Sequence, residues 1–249
     1  GIGMRERLSR LMMHPLSGIL ILLVVIYGLY EFVGVLGAQV LVDFLENKVF
    51  GEHINPFVTR LVDSLIPWKV LQDLLVHEYG IITLGIRYAI AIILPIVTTF
   101  FIAFSIIEDT GYLPRLAMLI DRLFKKIGLN GRAVIPIVLG FGCDTMATMV
   151  TRTLESKRER IIATLLLALA IPCSAQMGVI LALLSGNIRA LGIFIIVMTA
   201  VFLFIGYLAA KLVPGEKPLF YMEIPPLRWP QLSYVFTKTY TRVEWYFKE

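Results

Sequence analysis

The chain has 249 residues, 58% hydrophobic and only 16% charged, with a formal net charge of +5, and its mean hydropathy is +0.82. Soluble domains carry about 25% charged residues, so a soluble globular protein is excluded, and two Cys without any low-complexity run exclude a disulfide scaffold and a disordered chain. The basic residues cluster beside hydrophobic ends with no basic-aromatic groove, a pattern of loops facing anionic lipid and not of a nucleic-acid surface.

The apolar blocks are long enough to cross a bilayer, which takes about 20 residues of helix. Ile19 to Tyr30 and Ile188 to Leu208 are apolar on every face, whereas barrel strands alternate apolar and polar. The fold class is therefore an all-α integral membrane protein, read as about four transmembrane helices plus a re-entrant helical hairpin and interfacial amphipathic helices. The chain opens Gly-Ile-Gly without an initiator Met and holds no G-x-x-x-x-G-K-[ST] phosphate loop, so it reads as a piece of something longer that carries no nucleotide engine.

Residues 1–14 form a cytoplasmic basic lead with Arg5, Arg7 and Arg10. His14-Pro15 then starts an apolar run to about Ala38, with Glu31 its one charge; it lacks a small-residue cleavage site and is kept as a real helix. Residues 15–80 thus hold the first transmembrane helix and an external region. Over 39–80, Asp43, Glu46, Glu52, Asp63, Asp73 and Glu78 stand against Lys48, Arg60 and Lys69, while Leu41, Phe44, Leu45, Phe57, Leu61, Leu65, Leu71, Leu74 and Leu75 recur at helical spacing, predicting short amphipathic helices on the membrane face.

Residues 81–184 form the chemically distinctive region. Ile81 to Ile107 reads as the second span, kinked at Pro95, with Arg87 reaching the outer interface. Glu108-Asp109-Thr110-Gly111 breaks the helix, Pro114 suits a first turn, and 114–127 reads as an interfacial helix. It has Leu116, Ile120, Leu123, Phe124 and Ile127 on one side, Arg115, Arg122, Lys125 and Lys126 on the other, and Gly128 as C-cap. Ala133 to Val150 is apolar but divided by Pro136 and Gly140-Phe141-Gly142. Arg132 before it and Arg152, Lys157, Arg158 and Arg160 after it put both ends on the cytoplasmic side, which demands a re-entrant segment. Ile161 to Leu184 spans, broken at Ile171-Pro172-Cys173-Ser174. Residues 185–213 turn at Ser185-Gly186-Asn187 and span back; residues 214–249 form a cytoplasmic segment with Lys217, Arg228, Lys238, Arg242 and Lys248 and a helical stretch from Phe236 to Phe247. Both termini fall inside, and only Lys48, Arg60, Lys69, Arg87 and Arg189 fall outside.

Two broken apolar segments, each with a Cys at its break, carry the functional signal. Discontinuous membrane helices expose carbonyls and helix ends, a common way to build a mid-membrane ion site. Gly140-Phe141-Gly142-Cys143-Asp144-Thr145-Met146 and Pro172-Cys173-Ser174-Ala175-Gln176-Met177 together offer thiolate, carboxylate, hydroxyl, amide and thioether donors. That set suits Fe(II) or Mn(II) better than Na⁺ or Mg²⁺. Plainer readings stand beside this one: either Cys packs as a small hydrophobe, Met146, Met149 and Met177 fill gaps, and Asp144 N-caps the helix that follows it. A Cys143–Cys173 disulfide is disfavoured in the reducing cytoplasmic half. Glu108-Asp109 reads as a helix end, and His14, His53 and His77 are isolated, so a hydrolytic metal centre has no support.

The run from Ile93 to Leu184, and within it GFGCDTMATMVTRTLESKRER (140–160) and PCSAQ (172–176), resembles the first Gate region of the ferrous iron transport protein B (FeoB) family. Residues 185–235 resemble that family's following conserved segment, and the start resembles its first membrane helix after the G-domain linker. The resemblance implies Fe(II) uptake across the bacterial or archaeal inner membrane, with the gate-motif cysteines contacting the ion: Cys143 by position, and Cys173 behind it. Many members have Asn-Val-Pro after the Cys, where this chain has Asp144-Thr145-Met146. The family's GTP-binding domain and second Gate half are not in this sequence, so the chain reads as a fragment or as one component of a split or oligomeric transporter.

The expected function is therefore the transmembrane part of a ferrous iron transporter, not an enzyme. No cofactor is bound permanently; Fe²⁺ is the transported ion, and the partners are the lipid bilayer, a GTP-binding domain, the second Gate half and, in an oligomer, further copies. Cys143 leads the expected metal ligands, followed by Asp144 and Cys173, with Ser174 and Gln176 as polar lining. The competing readings are a nucleoside or other organic-solute permease of Gate architecture, and a membrane scaffold that partners a GTPase.

Overall fold

A computed structural model describes residues 3–77, 79–215 and 223–248; the expectations on Glu78 and Lys217 lie outside the described residues. Among these residues all regular structure is helical. The order is α1 (Met4–Met13), α2 (Pro15–Leu65), α3 (Lys69–Leu75), α4 (Ile81–Asp109), α5 (Tyr112–Lys126), α6 (Val134–Gly140), α7 (Asp144–Val150), α8 (Lys157–Ala170), α9 (Ser174–Leu184), α10 (Ile188–Leu212) and α11 (Leu232–Lys248). Four segments are long and apolar enough to cross a membrane: α2, α4, the α8–α9 pair and α10.

The first span does not stop near Ala38 as its composition suggests. Helical backbone runs on to Leu65, and the separate amphipathic helices expected over 39–80 reduce to α3 alone. Gly37 is a close-approach residue: a Cβ there would collide with Thr99 Oγ1 of α4. The turns over Tyr30–Leu41, Phe44–Ile54, Ile81–Ile86 and Tyr88–Ile93 are wide, with i→i+5 bonding. Pro56 and Pro95 each occupy the second residue after a wide stretch, where ordinary α turns resume. A proline lacks an N–H and clashes with the carbonyl one turn back, and a widened turn relieves both problems.

The chain divides into two compact units, one built from 1–22 and 107–229, the other from 23–106 and 230–249. In the second, Arg87 does not reach outward alone: its guanidinium pairs with Glu46 at 2.6 Å, both half-buried. The C-terminal helix α11 is anchored in this unit and is not a loose tail. Val235 and Thr239 are buried, and Arg242 donates to Ser105 Oγ at 2.9 Å with its guanidinium over the Phe104 ring at 5.2 Å.

The first unit carries the hairpin and both helix breaks. Gly111 (φ +78°) and Gly128 (φ +77°) adopt the left-handed conformation that starts and stops α5, and Leu129 N–H donates to Phe124 O at 2.9 Å to close the end. Arg115 departs from its expected place on a solvated face: it is 3% exposed. Burial is tolerated because its fork donates to Ser9 Oγ (2.8 Å), Gly111 O (2.6 Å) and Pro225 O (3.0 Å). It thereby joins α1, the start of α5 and the 223–229 segment, and burial pulls its pKa below the ordinary guanidinium value. Arg115→Lys keeps the charge but cannot reproduce the fork. It is expected to lower stability by about 1.5–3 kcal/mol, read as a lower midpoint of thermal unfolding in detergent.

Tyr112, buried beside it, has its phenol pushed up to about 12 by burial. The folded state therefore favours the neutral phenol. Its stabilising contribution is complete below the ordinary tyrosine value of about 10 and is lost as pH rises through about 12. A Tyr112→Phe variant is expected to flatten the fall in unfolding midpoint over that alkaline window.

Candidate functional site

The hairpin's two helices are each too short to cross a membrane. α6 and α7 have seven residues each, about 10 Å apiece at 1.5 Å per residue, against a hydrocarbon core of about 30 Å. They pack on each other across Phe141-Gly142-Cys143. Gly142 and Cys143 N–H groups both donate to Leu139 O, at 2.9 and 2.8 Å, so the end of α6 is closed by its own chain. Gly140 allows α6 to touch α8: a Cβ there would sit 2.5 Å from Leu167 Cδ2 and 3.2 Å from Ile171 Cγ2.

The second break is formed by Ile171-Pro172-Cys173. Residue Ile171 is extended (φ −112°, ψ 104°), as a residue before proline prefers. Cys173 then stands at the N-cap of α9, and Gln176 Oε1 accepts its N–H at 3.0 Å. Gln176, expected to line an ion path, thus also fastens the start of α9.

One contact brings the breaks together. Ser174 donates to Gly142 O through both its hydroxyl (3.0 Å) and its N–H (3.4 Å). Gly142 precedes Cys143 and Ser174 follows Cys173, so each thiol flanks the junction; both are free and half-buried. Asp144 begins α7, and its Oδ1 is buried with no hydrogen-bond partner among the described residues. Placed at a helix N-terminus, this carboxylate offsets the positive end that would otherwise repel a cation. Among the described residues no three His, Cys, Asp or Glu side chains converge as a metal-holding group. An ion at this junction would therefore take its other donors from backbone carbonyls, hydroxyls or water, as in a transport path and unlike a storage site.

Sequence reasoning missed two features nearby. Ser156 and Glu159 form a capping box that starts α8 at Lys157, four residues before the expected start; the S-x-x-E spacing was the available signal. Arg158 donates to Val213 O at 3.1 Å and to Ala210 O, holding the last turn of α10; nothing local announces this. Glu108 and Asp109 end α4, as expected.

Comparison with known proteins follows the same division of the chain. Residues 90–187 match the family model described as "Gate: Nucleoside recognition", and residues 190–242 match "Ferrous iron transport protein B C terminus". The Fe(2+) transporter FeoB of Methanocaldococcus jannaschii is 35% identical over 205 residues, covering 77% of this chain and 29% of that protein. The chain belongs to the FeoB family. A Fe(2+) transport protein A/Fe(2+) transporter FeoB fusion protein of Porphyromonas gingivalis is 28% identical over 98% of this chain and 28% of its own length. Staphylococcus aureus FeoB is 27% identical over 96% and 36%. The chain therefore spans about a third of the FeoB proteins it matches. No solved structure matches it.

Proposed function

We propose that this chain is the first membrane half of a ferrous iron transporter and that Fe(II) passes at the junction of the two helix breaks. The observation that carries the reading is the Ser174–Gly142 contact, which sets Cys143 and Cys173 on either side of one point in a FeoB-like sequence. Cys143 is the leading ligand, with Asp144 and Cys173 next and Ser174 and Gln176 as polar lining. Soft thiolates beside a carboxylate favour a borderline transition metal over Na⁺ or Mg²⁺. In this reading the chain lies in the plasma membrane with both termini cytoplasmic. A GTP-binding domain and a second Gate half, carried by the intact transporter or by partner chains, complete the path.

A nucleoside permease is the competing reading, prompted by the Gate description. Recognition of a base calls for stacking aromatics and amides; the breaks supply two thiols, one exposed Phe141 and one Gln176. The deciding measurement is uptake by the intact transporter in proteoliposomes, with Fe(II) under reducing conditions and a nucleoside run in parallel. Fe(II) accumulation that Mn(II) inhibits and nucleosides do not supports the iron path, whereas nucleoside accumulation insensitive to Cys143→Ser overturns it.

A further inference from the structure

We propose that one face of α8, from Lys157 to Leu169, together with the groove where α8 breaks, holds a single anionic phospholipid. Lys157, Arg160, Ile161, Leu165, Ala168 and Leu169 are all exposed, while Ile162, Ala163, Leu166 and Leu167 on the opposite side are buried. Residues 157, 161, 165 and 169 step by four, so they form one continuous stripe with a cation at one end and apolar surface along the rest.

Charge and length both select the occupant. Lys157 has no hydrogen bond or ion pair among the described residues, and Arg160 uses only its Nε, on Leu154 O at 2.8 Å, leaving its outer N–H groups for a phosphate. The nearby acids do not oppose an anion: Glu155 is paired with Arg132, and Glu159 is buried on the far side in the Ser156 cap. From Lys157 to Leu169 the helix rises about 18 Å, close to the depth of one leaflet, about 15 Å. Leu169 is also where the stripe opens into a groove of about 560 Å³ lined by Ile171, Pro172, Gln176, Phe194 and Met198. A headgroup phosphate at Lys157 and Arg160 thus sets the end of its acyl chain in that groove, on the leaflet these two cations face. This binding rests on the chain spanning a membrane and does not depend on which solute it carries.

The test uses the intact protein in vesicles with a Leu169→Trp reporter and measures quenching beyond that of native Trp68, Trp229 and Trp245. The quenchers are phosphatidylglycerol or phosphatidylcholine brominated near the acyl terminus. Each basic residue near a headgroup is worth about a fivefold factor, so with two of them brominated phosphatidylglycerol should quench at about 25-fold lower mole fraction. A Lys157→Gln/Arg160→Gln background should abolish that difference. Equal quenching by the two lipids overturns the proposal. So does no quenching by either, because another helix or a second copy then covers the groove. If Leu169→Trp fails to fold, lipid retained on detergent-purified native protein decides: one phosphatidylglycerol fewer on the Lys157→Gln/Arg160→Gln variant supports the site, and an unchanged number overturns it.

Discussion

The Cys143→Ser variant of the intact transporter is expected to lose roughly 10–100-fold in Fe(II) uptake at unchanged membrane abundance. Serine is nearly isosteric, and Cys143 is half-buried at a turn whose hydrogen bonds are made by backbone groups, so the hairpin should persist. What is removed is a thiolate, the softest donor at the first break, and a hydroxyl replaces it poorly for a borderline metal. Cys173→Ser should cost less, because the N–H of Cys173 is fastened by Gln176 and its thiol is one of two flanking the junction. Uptake unchanged in both variants would make these thiols packing residues and move the scaffold or organic-solute reading ahead. The measurement is initial uptake rate against protein level, with the unfolding midpoint as the control for folding.

The second large effect is expected from Gly140→Val. Its Cβ would fall 2.5 Å from Leu167 Cδ2, and Leu167 is itself buried between α8 and its neighbours, so it has nowhere to swing. Either Leu167 leaves its rotamer or α6 moves off α8. Overpacking of this kind costs about 1–3 kcal/mol. Because α6 carries Gly142 at its end, a displaced α6 also withdraws the acceptor that Ser174 uses. The variant should show a lower unfolding midpoint together with faster alkylation of Cys143 and Cys173 by a membrane-permeant maleimide. A lower midpoint with unchanged thiol reactivity would mean that the junction tolerates the shift.

Much of the architecture was readable in the residues, for physical reasons that differ by element. The four long apolar helices follow from apolar length, and the two helix breaks follow from Gly140 and Gly142 and from Pro172, because proline and glycine act locally on the backbone that carries them; Pro136, expected to divide its segment as well, lies in the first turn of α6 and breaks nothing. The end of α5 at Gly128 follows in the same way. What was not legible depended on partners distant in sequence. Gly37 stood unremarked inside the apolar run to Ala38 and serves a packing contact with Thr99. Arg115 was assigned to a solvated face by its charge, and burial became acceptable only with acceptors from residues 9, 111 and 225. The Ser174–Gly142 bond joins residues 32 apart, and no periodicity encodes it. Donor types at the candidate site were therefore visible beforehand, while their convergence on one junction was not.

The unbroken run of α2 has a practical corollary for topology. Its 51 residues are more than twice the roughly 20 that cross the hydrocarbon core of a bilayer. A helix that exceeds a span by so much leaves one end outside the hydrocarbon unless it is strongly tilted, and the topology proposed above puts that end near Arg60 on the outer side. An epitope or glycosylation tag set there reports sidedness for the whole chain, since every later crossing alternates from that one fixed orientation.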